Sequence, residues 1–239
     1  MTVKPPSGLF ITGTDTDVGK TYVAVILARR LTALGLKVGV YKPVASGCEQ
    51  QGTSKNESGG ELVSADAMAL WKAAGKHGDF AHVCPQRFAA PLAPHLAAKA
   101  ESKTVDAKWL RTGIEYWQSC SDFVIVEGIG GLMSPITGEE YVADIALDLG
   151  YPLVVVAANK IGVINQTLQT LVVAETFRGG LSIGGVILNQ VSAANDPSIA
   201  TNREELAFRS IPPILGEVTW QGTELLHDAA WHELVKRVT

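Results

Sequence analysis

The sequence is short of several things, and each shortage closes off a class of protein. It has only three cysteines in 239 residues, Cys48, Cys84 and Cys120. An odd count without close spacing argues against a disulfide framework or a zinc knuckle. No apolar run approaches the roughly 18 to 20 residues that span a bilayer, and the longest, Leu153 to Ala158, is strand-sized. The opening MTVKPPSG lacks the apolar stretch of a signal peptide, so a cytoplasmic protein without membrane attachment is expected. Positive charge is not in excess: 20 basic against 24 acidic side chains leave a net charge of −4. A dedicated nucleic-acid binder would show a basic stripe, so no nucleic-acid partner is expected. The histidine pairs His77/His82 and His227/His232 are five apart, a spacing that does not share a helix face and so offers no metal pair.

What remains is globular and rich in glycine, with 46% hydrophobic residues and 24 glycines. Short β-branched runs mark strands at Leu9–Thr12, Val38–Tyr41, Phe123–Glu127, Leu153–Ala157 and Val186–Leu188, with a shorter one at Ile214–Leu215. They are continuous in Val, Ile and Leu rather than alternating, as strands buried on both faces of a parallel sheet are. Between them lie helical stretches over Thr21–Leu34, stopped by Gly35, and over Ser64–Ala74 and Ile164–Phe177. Strand then helix, repeated without a linker, predicts one α/β domain over residues 1–239 with a doubly wound, mainly parallel sheet. The polar segment Glu49–Gly60 is expected to be a mobile surface loop. In such sheets ligands gather beyond the carboxyl ends of the strands. Those ends are Gly13–Thr21, Lys42–Ser46, Glu127–Gly131, Asn159–Asn165 and Asn189–Gln190.

The first of these ends reads GTDTDVGKT, Gly13 to Thr21, and opens into a helix. Backbone N–H groups of a glycine-rich loop at a helix N-terminus cradle phosphate. Lys20 is placed to reach the β- and γ-phosphates, and the Thr21 hydroxyl to ligate Mg²⁺. Five residues separate Gly13 from Gly19, one more than the usual motif allows, and Asp15 and Asp17 add negative charge to a loop built for an anion. Two acids there call for a cation nearby, either Mg²⁺ or a positively charged substrate. Relatives that position cellular components carry an early lysine where Asp15 stands. Asn159-Lys160-Ile161-Gly162 begins like a guanine reader but ends in a glycine that accepts no hydrogen bond from the base.

Two further strand ends narrow the choice: YKPVASG over Tyr41–Gly47 and VEGIGG over Val126–Gly131. With GTDTDVGKT, and with ADAMAL, FAAPLAPH, KIGVIN, LNQ and LGEVTW, they make the chain resemble the dethiobiotin synthetases, a P-loop NTPase-fold family, over about Thr12 to Trp220. The resemblance implies an ATP- and Mg²⁺-dependent ligase. It implies that 7,8-diaminononanoate and CO₂ or bicarbonate become dethiobiotin through a carbamate and its mixed anhydride with phosphate, releasing ADP and phosphate.

The resemblance also assigns residues. Lys42, Lys20 and Thr16 are implied at the reacting groups, and Ser46 and Asn165 at the substrate. Thr21, Asp66 and Glu127 are implied as Mg²⁺ ligands. The nucleotide is implied to touch Asp17, Val18, Gly19, Lys20, Thr21 and Tyr22 in the loop and Asp66, Glu127, Gly128, Ile129 and Gly130 beside it. Asn189, Gln190, Thr219 and Trp220 are implied around the adenine. Family members are homodimers, and the segment matching Lys160–Asn165 is implied to reach the neighbouring subunit's site. Two other readings stay open: an amidoligase acting on another carboxylate, and a nucleotide-switched positioning ATPase.

Overall fold

A computed structural model describes residues 7–51, 60–193, 196–210 and 212–238. The elements, in chain order, begin with β1 (Ser7–Gly13), α1 (Lys20–Ala33), β2 (Val38–Tyr41), β3 (Val44–Ala45), β4 (Glu49–Gln51) and β5 (Glu61–Val63). The middle of the chain holds α2 (Ala65–Ala73), β6 (Gln86–Arg87), α3 (Pro94–Ala100), α4 (Ala107–Thr112) and α5 (Glu115–Cys120). Then come β7 (Phe123–Gly131), α6 (Val142–Leu149), β8 (Leu153–Ala158), α7 (Val163–Thr176), β9 (Ile183–Asn189), α8 (Ile199–Arg209), β10 (Ile214–Val218) and α9 (Ala229–Val238).

The main sheet has six strands in the order β10-β9-β8-β1-β7-β2, and every pairing in it is parallel. All six residues of β8 are buried, as are all four of β2, which is why these strands read as unbroken apolar runs. Helices cover both faces, so the α/β, doubly wound reading holds. Strand and helix bounds fall within a few residues of those read from sequence. The main exception is β7, which runs on to Gly131 rather than ending at Glu127. Its register against β1 slips between the pairs Ile11↔Glu127 and Gly13↔Gly131. A strand accommodates such an irregularity where glycine tolerates the backbone, and Gly130 takes a left-handed φ of 64°.

The segment expected to be loop is in part a strand. Glu49–Gln51 pairs antiparallel with Glu61–Val63, and residues 52–59 lie outside the described residues. Exposed, polar residues at 49–51 gave no apolar signal for a strand, because backbone pairing alone makes this hairpin arm. No helix among the described residues is long and apolar enough to cross a membrane.

Topology places the chemistry. Strand β7 inserts between β1 and β2 although it follows them by more than eighty residues. The carboxyl ends of these three adjacent strands therefore deliver the 13–21 loop, Lys42 and Glu127 to one crevice. Helix α2 adds Asp66. Its start is fixed by Ser64, whose hydroxyl accepts a hydrogen bond from the Ala67 N–H at 3.2 Å. That cap puts Asp66 in the first helical turn, where a carboxylate suits the helix dipole.

Candidate active site

A cavity of about 960 Å³ opens at these strand ends. Its walls include Thr16, Asp17, Gly19, Lys20 and Thr21 from the loop, Lys42 and Ser46 beyond β2, and Asp66 from α2. Glu127, Gly128, Ile129 and Gly130 close it from β7.

The loop's shape is dictated by its glycine. Gly19 caps α1 with φ 86°, a left-handed conformation, and a Cβ there would lie 2.1 Å from the Asn189 amide nitrogen. Only glycine meets both demands. Asn189 in turn donates to the Val18 carbonyl at 2.9 Å, tying the loop to the end of β9. Lys20, 8% exposed, folds back to donate to the Asp15 carbonyl at 3.0 Å. Burial lowers its pKa, and the Lys42 charge adds to that, against an opposing pull from Glu127.

Lys42 is the centre of the charge network. It is 4% exposed, and its Nζ lies 2.5 Å from Glu127 Oε1 and 2.8 Å from Asp66 Oδ2. The Thr21 hydroxyl donates to the same Glu127 oxygen at 2.7 Å. Burial by itself would lower the Lys42 pKa, but Glu127 and Asp66 outweigh it and hold the ammonium above its ordinary value. Burial would likewise raise Asp66, and Lys42 together with the Thr21 hydroxyl keeps it below the usual carboxylate range. The site is thus charged, and balanced internally.

Glu127 is 1% exposed, and its second oxygen, Oε2, is buried without a hydrogen-bond partner. A carboxylate oxygen in that position is a ready ligand for a hard cation. Among the described residues no group of three or more His, Cys, Asp or Glu side chains is placed to hold a metal ion. Two carboxylates and one hydroxyl suit Mg²⁺, which takes few protein ligands and completes its shell with phosphate and water.

The remaining residues implied by sequence fall elsewhere. Asn189, Gln190, Tyr22, Thr219 and Trp220 do not line this cavity; they gather beside the start of α1, at the ends of β9 and β10. The Gln190 Oε1 accepts from the Trp220 N–H at 3.3 Å, and the Tyr22 hydroxyl donates to the Gly222 carbonyl at 3.0 Å. Val18 is buried behind the loop. Asn165 sits in the first turn of α7, where its Oδ1 accepts from Gln169 at 3.3 Å, away from the cavity of its own chain. Asn159, where the guanine-reader likeness began, is buried and accepts from Asn202 at 2.8 Å, so its side chain is spent within the fold.

Sequence reasoning missed two parts of the wall. Pro91, Leu92, Ala93 and Pro94 add an apolar stretch to the lining, and Ser134 and Pro135 add a further edge. The Ser134 hydroxyl accepts from the Gly131 N–H at 2.9 Å. The signal for the first was present in FAAPLAPH, a run with too little periodicity to be a helix or a strand. For Ser134 the cue was its place three residues after a glycine pair.

The residues 7–223 match a family model described as an AAA domain. An ATP-dependent dethiobiotin synthetase of Rhodopirellula baltica is 40% identical over 207 residues, covering 82% of this chain and 78% of that protein. One from Anaeromyxobacter dehalogenans is 39% identical over 214 residues, 90% of each. One from Salmonella typhi is 35% identical over 216 residues, 89% of each. Among solved structures, chloroplast FtsY from Physcomitrella patens superposes with a TM-score of 0.53 at 18% identity, covering 98% of this chain and 65% of that one. The signal recognition particle receptor FtsY of Elizabethkingia anophelis in complex with GDP gives 0.55 at 15% identity, covering 99% and 64%. The chain spans less than two thirds of the length of those two structures, and at such identity the likeness concerns the fold alone.

Proposed function

Since the chain belongs to the ATP-dependent dethiobiotin synthetase family, we propose that the cavity at the ends of β1, β2 and β7 is where it holds ATP and its diamine. The activity is the ATP-dependent ring closure of biotin biosynthesis that makes dethiobiotin. The observation that carries the site assignment is the convergence of Lys20 and Lys42 with Asp66, Glu127 and the Thr21 hydroxyl around one cavity.

The chemistry explains the residue types. One amine of 7,8-diaminononanoate attacks CO₂, forming an N–C bond and losing a proton, to give a carbamate. A carbamate oxygen is a poor leaving group, so that oxygen takes the γ-phosphoryl group of ATP and ADP departs. The second amine then attacks the carbonyl carbon. The C–O bond breaks, phosphate leaves with its electron pair, a proton is lost, and a cyclic urea remains.

Phosphoryl transfer of this kind asks the protein for alignment and charge neutralisation more than for covalent help. Lys20 meets the β- and γ-phosphates from the loop. Lys42 spans the carbamate and the γ-phosphate, so that two ammonium groups flank the transferring phosphoryl. Thr21, Asp66 and Glu127 would hold Mg²⁺, which when bound neutralises phosphate charge. Thr16 and Ser46 offer hydroxyls to the carbamate and amines, and the Pro91–Pro94 wall faces the substrate's methylene chain with apolar surface. Gly128, Ile129 and Gly130 bring main chain rather than bulk to the reacting groups, and Asp17 faces the same cavity.

The base lies beside the start of α1, by Asn189, Gln190, Tyr22, Thr219 and Trp220. Asn189 Oδ1 is buried and unpaired, an acceptor suited to the exocyclic amino group of adenine. The chain acts as one domain, as a homodimer, in the cytoplasm. In support of the dimer, Ile161 is exposed ahead of α7, and Asn165 does not line the cavity of its own chain.

The test is direct. With diaminononanoate, bicarbonate, Mg²⁺ and ATP, a cyclic urea forms in step with ADP release. Absence of that product, or hydrolysis indifferent to the diamine, overturns the reading. Lys42→Ala abolishes turnover and leaves nucleotide binding largely intact; surviving activity would remove Lys42 from the reaction.

A further inference from the structure

We propose that Lys42 has a second role in the nucleotide-free protein: it stands in for the divalent cation, occupying the carboxylates that would ligate it. This rests on the assignment of Thr21, Asp66 and Glu127 as the metal ligands.

Three observations converge. The Lys42 ammonium touches both carboxylates, Glu127 Oε1 at 2.5 Å and Asp66 Oδ2 at 2.8 Å. The third ligand, the Thr21 hydroxyl, is also turned onto Glu127 Oε1. Every proposed ligand is therefore engaged in one network, and among its buried oxygens Glu127 Oε2 is left without a partner. A carboxylate as buried as Glu127 calls for a positive charge beside it, and the Lys42 ammonium supplies it.

Lys42 bridges Glu127 and Asp66, so a metal ion held by the same two carboxylates would sit beside its ammonium even if it took the free Glu127 Oε2, and their mutual repulsion at that range is large. Metal entry must therefore displace Lys42. The main chain of Lys42 stays anchored, its N–H donating to the Val83 carbonyl at 2.7 Å, so the side chain alone must swing. Its flexible stem opens onto the cavity that receives the γ-phosphate and the carbamate. The exchange has a direction. A free divalent ion must evict the lysine with nothing to receive it, whereas a metal arriving with nucleotide brings phosphate oxygens for the displaced ammonium. The lysine thus keeps the metal position closed until the nucleotide comes, and the same event delivers it to the reacting groups.

The experiment is a titration of Mn²⁺ alone into the nucleotide-free protein at fixed ionic strength, followed by the electron paramagnetic resonance of the free ion. Lys42→Met is expected to bind Mn²⁺ at least tenfold more tightly than the wild type, because the competing cation is gone. Lys42→Arg, which keeps the charge, stays within threefold of the wild type. Lys42→Met/Glu127→Gln loses the gain. Should Lys42→Met fold poorly, Lys42→Gln, whose amide still hydrogen-bonds Glu127, must show the same gain. Its melting temperature must also rise more with Mn²⁺ than that of the wild type does. If removing the charge leaves affinity within twofold while Glu127→Gln still weakens binding, the stand-in role is wrong and the metal ligands are right. If Glu127→Gln has no effect in either background, the ligand assignment itself fails.

Discussion

Replacing Lys42 by methionine removes the ammonium and keeps most of the side-chain volume, and its cost in stability follows from burial. Lys42 is 4% exposed and Glu127 1%, with 2.5 Å between Nζ and Oε1. Removing one member of so buried a pair leaves the other charge uncompensated and costs roughly 3 to 5 kcal/mol. The Asp66 contact adds little, because that side chain is 49% exposed and surface pairs contribute at most about 1 kcal/mol. Glu127→Met alone falls at the lower end of that range, about 3 kcal/mol, since Asp66 still faces the orphaned ammonium. Removing both charges restores an apolar interior, and the double variant Lys42→Met/Glu127→Met should return to within about 1 to 2 kcal/mol of the wild type. The cycle should therefore show a coupling of roughly 4 to 7 kcal/mol, well above the few tenths expected of independent sites.

The assay is equilibrium unfolding in urea, followed by tryptophan fluorescence, with chelator present and no nucleotide so that ligand linkage does not enter. A total stability of about 5 to 15 kcal/mol leaves the single variants mostly folded. All three variants should be inactive, which separates the stability cycle from catalysis. Strictly additive losses, or a Lys42→Met cost below about 1 kcal/mol, would refute the claim that a buried ion pair organises this site.

Gly19→Ala should weaken ATP binding at least tenfold by calorimetry. A left-handed φ of 86° and a Cβ 2.1 Å from the Asn189 amide must both be relieved, at roughly 1 to 2 kcal/mol for the backbone alone; binding within twofold of the wild type would count against the loop geometry. At Asp228, burial pushes the carboxyl up, but the hydrogen-bonded Arg30 guanidinium outweighs it and holds the pKa below the usual range. A depressed acid stabilises the fold above its unfolded pKa, and that contribution fades as pH falls through the folded value. Asp228→Asn should then cost about 0.5 to 1 kcal/mol at neutral pH and nothing near pH 2, read from melting curves across pH. Burial raises the Cys48 thiol and pushes Cys84 up to about 12, so Ellman's reagent should titrate Cys120 in the native protein and the other two only after unfolding. Rapid reaction of all three thiols would contradict the packing around β3 and β6.

Much of this architecture can be read from residue order alone. Runs such as LVVVAA and the loop GTDTDVGKT announce buried parallel strands and a phosphate cradle, because burial and the φ demands of glycine restrict composition position by position. Glu127 was legible for a similar reason: an acid closing FVIV must find a cation. Its partner was not. That Lys42 reaches both Glu127 and Asp66 depends on β7 lying between β1 and β2, and strand order leaves no local mark, since every strand here is equally apolar. The 49–51 arm was hidden because its pairing uses main-chain groups, which no side chain advertises. The Pro91–Leu92–Ala93–Pro94 wall was visible as a motif, but its place in the cavity lining depends on contacts far apart in sequence.

The insertion of β7 also sets a timetable for biosynthesis. Strand β2 has β7 as its only neighbour among the described residues, and β1 pairs with β7 and β8. Until Phe123–Gly131 has been made, the apolar strands Ser7–Gly13 and Val38–Tyr41 have no strand to bond to. Ninety residues separate the end of β2 from the end of β7, which at roughly 5 to 20 residues per second is about 5 to 18 s of translation. Throughout that interval the nascent chain carries two open strand edges of the kind that chaperones cover and aggregates recruit. No truncated product ending before residue 127 has the Lys42–Glu127 pair, so the chemistry becomes possible only after more than half of the protein exists.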